Sequence, residues 1–312
     1  MESKVKKIDV DLEYLMQPLS ESEKNNEFIA MESKSMFKDA WDTFKKNKLA
    51  LVSLGVIGIM IVMAVLGPML SSYTYDAQDL SMTNSYPSAQ HFFGTDKFGR
   101  DIFVRVWYGA RISLSVGFVS ALISLVIGVT YGAVSGYIGG KTDMIMMGIV
   151  DIIYAIPSML YVILIMLVLG SNIYSILLGM SISSWIGMAR LVRGEVLKLK
   201  EQEFSLAAVV LGASNKRILF KHLVINALGP IIVQVTFLVP QAIFQEAFLS
   251  FVGVGISAPL ASWGSLAQDA RTQIEIYPIQ IVWPIVAICL TILALNFVGE
   301  GLGRALDPKK NR

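Results

Sequence analysis

The strongest constraint on this chain is a series of long stretches without charge. Residues 49–70 and 112–138 contain no Asp, Glu, Lys or Arg, 144–169 contains only Asp151, and 173–189 is uncharged up to Arg190. Residues 223–252 contain only Glu246, and 279–298 contains no charge. A hydrocarbon core about 30 Å thick needs about 20 consecutive apolar residues per helix, so each block is a candidate crossing. None shows the alternating ten-residue pattern of a membrane β-barrel. In lipid, only a helix satisfies its own backbone polar groups within one segment. The pattern therefore predicts an all-α, polytopic membrane protein of about six transmembrane helices. The fourth block is the shortest, and it spans only if Arg190 sits at the interface. Composition agrees: 54% of the 312 residues are hydrophobic and 16% charged, against about a quarter charged in soluble domains.

The first block begins too far into the chain for a cleavable signal peptide, so it is expected to stay as an anchor. The one cysteine, Cys289, lies within the last block, which leaves no disulfide framework. Orientation follows from the connecting segments. With the N-terminus inside, the inner segments carry 21 of the Lys and Arg residues and the outer segments 5. Both termini are expected on the cytoplasmic side of the cell membrane.

Residues 1–31 are polar and expected to be poorly ordered. Residues 32–48 follow as an interfacial helix, with Phe37, Ala40, Trp41 and Phe44 on one face and Lys38, Lys45, Lys46 and Lys48 elsewhere. Residues 49–308 form the transmembrane domain. Its longest outer segment runs from 71 to 111 and is punctuated by Gly94 and Gly99. Gly128, Gly132, Gly136 and Gly140 recur every four residues, a smooth face that suits either an internal neighbour or a second subunit. Pro157, Pro240 and Pro284 fall inside the third, fifth and sixth blocks, where each can kink a helix.

Chemistry is sparse. Gly140-Lys141-Thr142 has the ending of a phosphate-binding loop, but Ser135 stands where the motif needs glycine and no strand precedes it. His91 and His222 fall on opposite sides of the membrane and cannot share a metal. No cofactor, metal site or nucleic-acid partner is expected, and nothing marks a catalytic nucleophile. The anomalies are acidic residues within apolar blocks, which are costly unless they face a bundle interior or water. Gln241, Gln245 and Glu246 form one polar stripe on a helix, expected to line a translocation path. Asp151 lies about two turns into its block and is expected to bond between helices.

Between the fourth and fifth blocks, 193–221 is basic and polar. It contains Glu203-Phe204-Ser205-Leu206-Ala207-Ala208-Val209-Val210-Leu211-Gly212-Ala213-Ser214. This has the form of a short helix, around 201–214, with an Ala-Ala face and a glycine stop, suited to docking in a groove of another protein. It resembles the EAA loop of ABC importer membrane subunits, with Ala207, Ala208 and Gly212 matching in spacing. Leu206 stands where that family often has glutamate, and Glu203 is a substitute for the polar coupling contact. Phe93-Gly94-Thr95-Asp96, Gly99-Arg100-Asp101, Ala189-Arg190-Leu191-Val192-Arg193, Ser262-Trp263-Gly264 and Ala305-Leu306-Asp307-Pro308 extend the resemblance. Together they are similar to the C-type permease of oligopeptide and dipeptide importers, a subfamily that also includes nickel permeases.

The resemblance implies a type I ABC importer permease fold. It also implies a second permease of similar fold, two cytoplasmic ATP-binding subunits and an extracytoplasmic peptide-binding protein, all working at the lipid bilayer. ATP hydrolysis would belong to the partners, and this chain would perform no covalent chemistry. Two other classes remain: an ion-coupled secondary transporter, favoured by an inverted repeat that is not visible here, and a membrane enzyme, which would need reactive groups within the spans.

Overall fold

A computed structural model describes residues 36–306. The expected tail, 1–31, and the end of the chain, including Asp307 and Pro308, lie outside the described residues. Within them the protein is helical, with no strand and a single isolated bridge between Thr95 and Asp101.

Helix α1 (Met36–Lys46) ends at Asn47, whose side chain accepts from the Ala50 amide and caps α2 (Lys48–Leu66). Ala40 and Phe44 of α1 are buried while Lys45 and Lys46 are exposed. Lys45 lies over the Trp41 ring. Phe44 and Ala50 meet Gly301 of the last helix, so α1 and α2 pack together against it.

Helix α3 (Ile102–Ile138) starts about ten residues before its apolar block because two arginines are accommodated. Arg111 donates to the carbonyls of Ala64 and Val65, at 2.6 and 2.8 Å. Arg105 is buried against carboxylates and donates to the Tyr75 carbonyl at 2.9 Å. Asp101 caps the helix by accepting from the Val104 amide.

The third block is not one straight crossing. α4 (Gly140–Ala155) and α5 (Ser158–Leu169) meet at a 73° bend. Pro157 causes it: the residue before a proline is pushed to extended backbone, and Ile156 has ψ 127°. The fourth block, conversely, runs longer than expected. α6 (Ile173–Ser183) and α7 (Ile186–Lys200) together make one span, Ile173–Lys200, which carries Arg190 and Arg193 inside its length. α8 (Glu203–Val210) follows, then an irregular segment with a π-helical turn, Ile218–Leu223. α9 (Leu228–Val252), α10 (Trp263–Arg271) and α11 (Ile279–Ala305) complete the order, with Pro240 and Pro284 inside α9 and α11. Among the described residues, five helices are long and apolar enough to cross a membrane, six if the bent pair is one crossing.

The glycine stripe packs within the chain. A Cβ on Gly128 would meet Met188 and the Trp185 carbonyl, one on Gly132 the Ala189 carbonyl, and one on Gly136 the Arg193 carbonyl. Gly140 has open space around it. Three of the four glycines thus let α3 and α7 approach backbone to backbone. Gly132→Ala should force the two helices apart and cost about 2 kcal/mol, read as a lower thermal midpoint of the purified protein. Gly140, although at φ +55°, lacks such a neighbour and serves the turn between α3 and α4.

Candidate functional site

α9 divides its polar side chains between two environments. Gln234, Gln241 and Gln245 recur at i, i+7 and i+11, on one helix face. They line a cavity of about 580 Å³, shared with Ser120 and Ser124 of α3, Ser158 of α5, Ser183, Ser184 and Arg190. Gln245 Nε2 donates to Ser158 Oγ at 3.4 Å, and Ser124 Oγ donates to Ser184 Oγ at 2.8 Å. The floor is the Pro157 bend, with Tyr154 and Ile156 beside it. The break that spoils the third span as a straight helix thereby helps to form this hollow.

Glu246 does not share it. Next in sequence to Gln245, it points about 100° away around the helix and is fully buried. Ser113 Oγ donates to its Oε2 at 2.9 Å and Ser250 Oγ to its Oε1 at 2.8 Å. Ser113 Oγ also accepts from the Trp263 amide, and Ser262 Oγ donates to Ser250 Oγ. Glu246, expected to share one lining with Gln241 and Gln245, is thus buried away from the cavity that those two line. Its carboxyl is a bolt between α3, α9 and the start of α10, where Trp263 is itself buried and donates from Nε1 to the Val106 carbonyl.

Asp151 bonds between helices: Arg190 Nη2 donates to its Oδ1 at 2.7 Å. One turn further along α7, Arg193 grips Asp143 of α4 with two hydrogen bonds of 2.6 Å each, and Ser135 of α3 donates to the same carboxylate.

The segment between α2 and α3 is held by charge. Arg100 donates to Asp96 at 2.6 Å and to Asp269 of α10 at 3.0 Å, and Arg105 lies 3.8 Å and 3.7 Å from the same two carboxylates. His91 Nδ1 contacts Asp101 at 2.7 Å. The Gly-Thr-Asp and Gly-Arg-Asp motifs are thus the parts of one ionic clasp joining the loop before α3, α3 itself and α10. Asp79, also in this loop, is held below the usual carboxylate range by hydrogen bonds from the Ser81 side chain and amide.

At the opposite end stands α8. Ala208 is buried, in one cluster with Ile218, Leu219 and Leu223, while Ala207 and Glu203 are exposed. The expected Ala-Ala face is therefore divided, since neighbours on a helix point about 100° apart. The outward surface is larger and more apolar: Leu206, Val209, Val210 and Leu211 are exposed, the last two by 86% and 85%. Gly212 ends the helix at φ +76°, with its amide on the Val209 carbonyl and the Ala213 amide on the Ala208 carbonyl. That is a Schellman stop, which needs a residue tolerant of left-handed backbone. Tyr137 Oη donates to Asn215 at 2.9 Å and Lys200 Nζ to the Tyr137 carbonyl at 2.6 Å, tying the ends of α3 and α7 to the segment around α8.

The sequence pointed to Gln241 and Gln245 but missed Arg190, Gln234 and the serines of the cavity. Gln234 carried a usable signal, because it shares their helical face seven residues away. The serines carried none, since mid-helix serine is common wherever helices pack closely.

Comparison with known proteins agrees with this architecture. Residues 128–312 match the family model described as binding-protein-dependent transport system inner membrane component. Residues 35–87 match the N-terminal TM domain of oligopeptide transport permease C. The chain is 49% identical to the oligopeptide transport system permease protein OppC of Bacillus subtilis, over 95% of this chain and 97% of the relative. It is 48% identical to the dipeptide transport system permease protein DppC of the same organism, over 93% and 92%. The fold resembles a chain of the MetNI methionine ABC transporter in an inward-facing conformation, with a TM-score of 0.54 and 18% identity over 64% of this chain and 94% of that one. The chain belongs to the binding-protein-dependent transport system inner membrane components: it is a multi-pass permease subunit with the type I ABC importer fold, not an enzyme.

Proposed function

We propose that this chain is one of two membrane subunits of an ATP-driven peptide importer, and that its share of the path is the cavity lined by Gln234, Gln241 and Gln245. The observation that carries this reading is the lining itself. Amide and hydroxyl side chains both donate and accept hydrogen bonds, which matches the alternating N–H and C=O groups of a peptide backbone. The peptide-transporting names of the similar permeases support the same substrate class. A nickel ion would instead favour imidazole or carboxylate ligands. The test is uptake by the assembled complex in proteoliposomes: short peptides should enter with ATP and Ni²⁺ should not, and the reverse would overturn the peptide reading.

α8 is the element proposed to seat on a cytoplasmic ATPase, with Glu203, Ala207, Ala208 and Gly212 as its coupling residues. Ala207 and Glu203 offer exposed contacts, whereas Ala208 packs inward and Gly212 ends the helix. ATP-driven closure of two such ATPases would move α8, and the Tyr137, Lys200 and Asn215 contacts would pass that motion to α3 and α7. A second permease would complete the path, and an extracytoplasmic binding protein would deliver the peptide to the outer loop.

This scheme requires both termini in the cytoplasm, with α1 lying along the inner membrane face. Reporter fusions after Lys48 and after Pro308 should report cytoplasm, and fusions near Asp79 or Arg271 the outside. A cytoplasmic signal at Asp79 would mean that α2 does not cross.

A further inference from the structure

Arg190 is the one charged side chain among the described residues that line the cavity. It reaches the cavity from α7, donates from Nη2 to Asp151 at 2.7 Å, and lies with its guanidinium 4.4 Å from the centre of the Tyr154 ring. The side chains of Arg190 and Asp151 are 40% and 68% exposed; Arg190 lines the cavity, and Asp151 acts on it through its bond to Arg190. Neighbouring charges are committed elsewhere: Arg193 to Asp143, and Glu246 to its serines behind α9.

We infer that the Arg190–Asp151 pair keeps this subunit's face of the path electrically neutral, so that peptides pass with little regard to the charge of their side chains. The inference rests on the peptide reading above and adds what the path does not select. A lone cation lining the hollow would attract acidic peptides and repel basic ones, because charges in a confined site are screened less than in bulk water. With Asp151 bonded to it, Arg190 presents a dipole instead of a net charge. Gln234, Gln241, Gln245 and the serines then supply hydrogen bonds in either sense, to backbone groups that every peptide has. Selection by side-chain charge is thereby left to other parts of the transport system.

Uptake per assembled complex, in proteoliposomes with all subunits present, tests this. Three peptides of one length would be compared, carrying one Lys, one Glu or neither. The wild-type complex should take up all three at similar rates. Arg190→Gln exposes an unpaired Asp151 and should raise the ratio of basic to acidic uptake roughly fivefold, the effect of a partly screened charge. Asp151→Asn exposes an unpaired Arg190 and should lower that ratio by a similar factor.

The double variant, Arg190→Gln with Asp151→Asn, should restore the wild-type ratio. A merely structural pair would not behave so, because losing it would change the amount of complex and all three rates together. An unchanged ratio in both single variants, a shift in the same direction in both, or a double variant that stays biased would overturn the inference. Should the single variants fail to assemble, the exchanged pair, Arg190→Asp with Asp151→Arg, stands in: an unbiased ratio supports neutrality and a biased one refutes it. A wild-type complex that imports no peptide of any charge would refute the peptide reading itself, an outcome distinct from all of these.

Discussion

Glu246→Ala should lower the stability of the assembled protein by about 4 kcal/mol. Two hydroxyls, those of Ser113 and Ser250, would lose a buried acceptor, at about 1–3 kcal/mol each, and a void would open beside α3. Glu246→Gln should cost about 1 kcal/mol or less, since the amide oxygen still accepts and a rotated serine can take the new N–H. Thermal midpoints of the purified complex check the difference. Uptake per assembled complex should not depend on peptide charge in either variant. A marked loss for basic peptides in Glu246→Gln would place the carboxylate on the path after all.

Val210→Glu should leave the fold intact and abolish transport. Val210 is 86% exposed, so the change removes no internal contact, and surface substitutions of this kind stay within about 0.5 kcal/mol. If the Leu206, Val209 and Val210 surface enters a groove of an ATPase, the new carboxylate loses its water without a partner. Association should then weaken at least tenfold, the scale of a centrally placed contact. The measurement is the amount of ATPase retained per permease in mild detergent. Normal retention together with normal ATP-driven uptake would exclude α8 as the docking element. Gly212 makes a less clean probe, because at φ +76° a side chain strains the helix stop whatever lies outside.

The fold was legible because lipid imposes a coarse rule: an uncharged run long enough to span is a helix. The exceptions are places where side chains relieve that rule. Arg105 enters α3 because Asp96 and Asp269 wait for it, and those partners are far apart in sequence. Arg190 and Arg193 lie within a span because Asp151 and Asp143 come from the neighbouring α4. Periodicity placed Gln241, Gln245 and Glu246 on one broad stripe, but at about 100° per residue that stripe spans about 140° of the helix circumference. Only the packing of Ser113 and Trp263 against it tells which edge is dry. The glycine stripe was visible as a close-contact face, while its partner, the backbone of α7 around Ala189, was not, since a carbonyl leaves no mark in the choice of side chain.

α3 has 37 residues without a break, which at 1.5 Å per residue makes a rod about 55 Å long. Its first turn is fixed in the ionic clasp through Arg105, and its last turn holds the segment around α8 through Tyr137. Such a rod is a lever arm. A tilt of about 5° about the clasp displaces the far end by about 5 Å, close to the rise of one helical turn. Displacements of that size at the α8 end therefore need no unfolding and no hinge within α3. They need only that the bundle rock about a fulcrum made of two arginines and two aspartates.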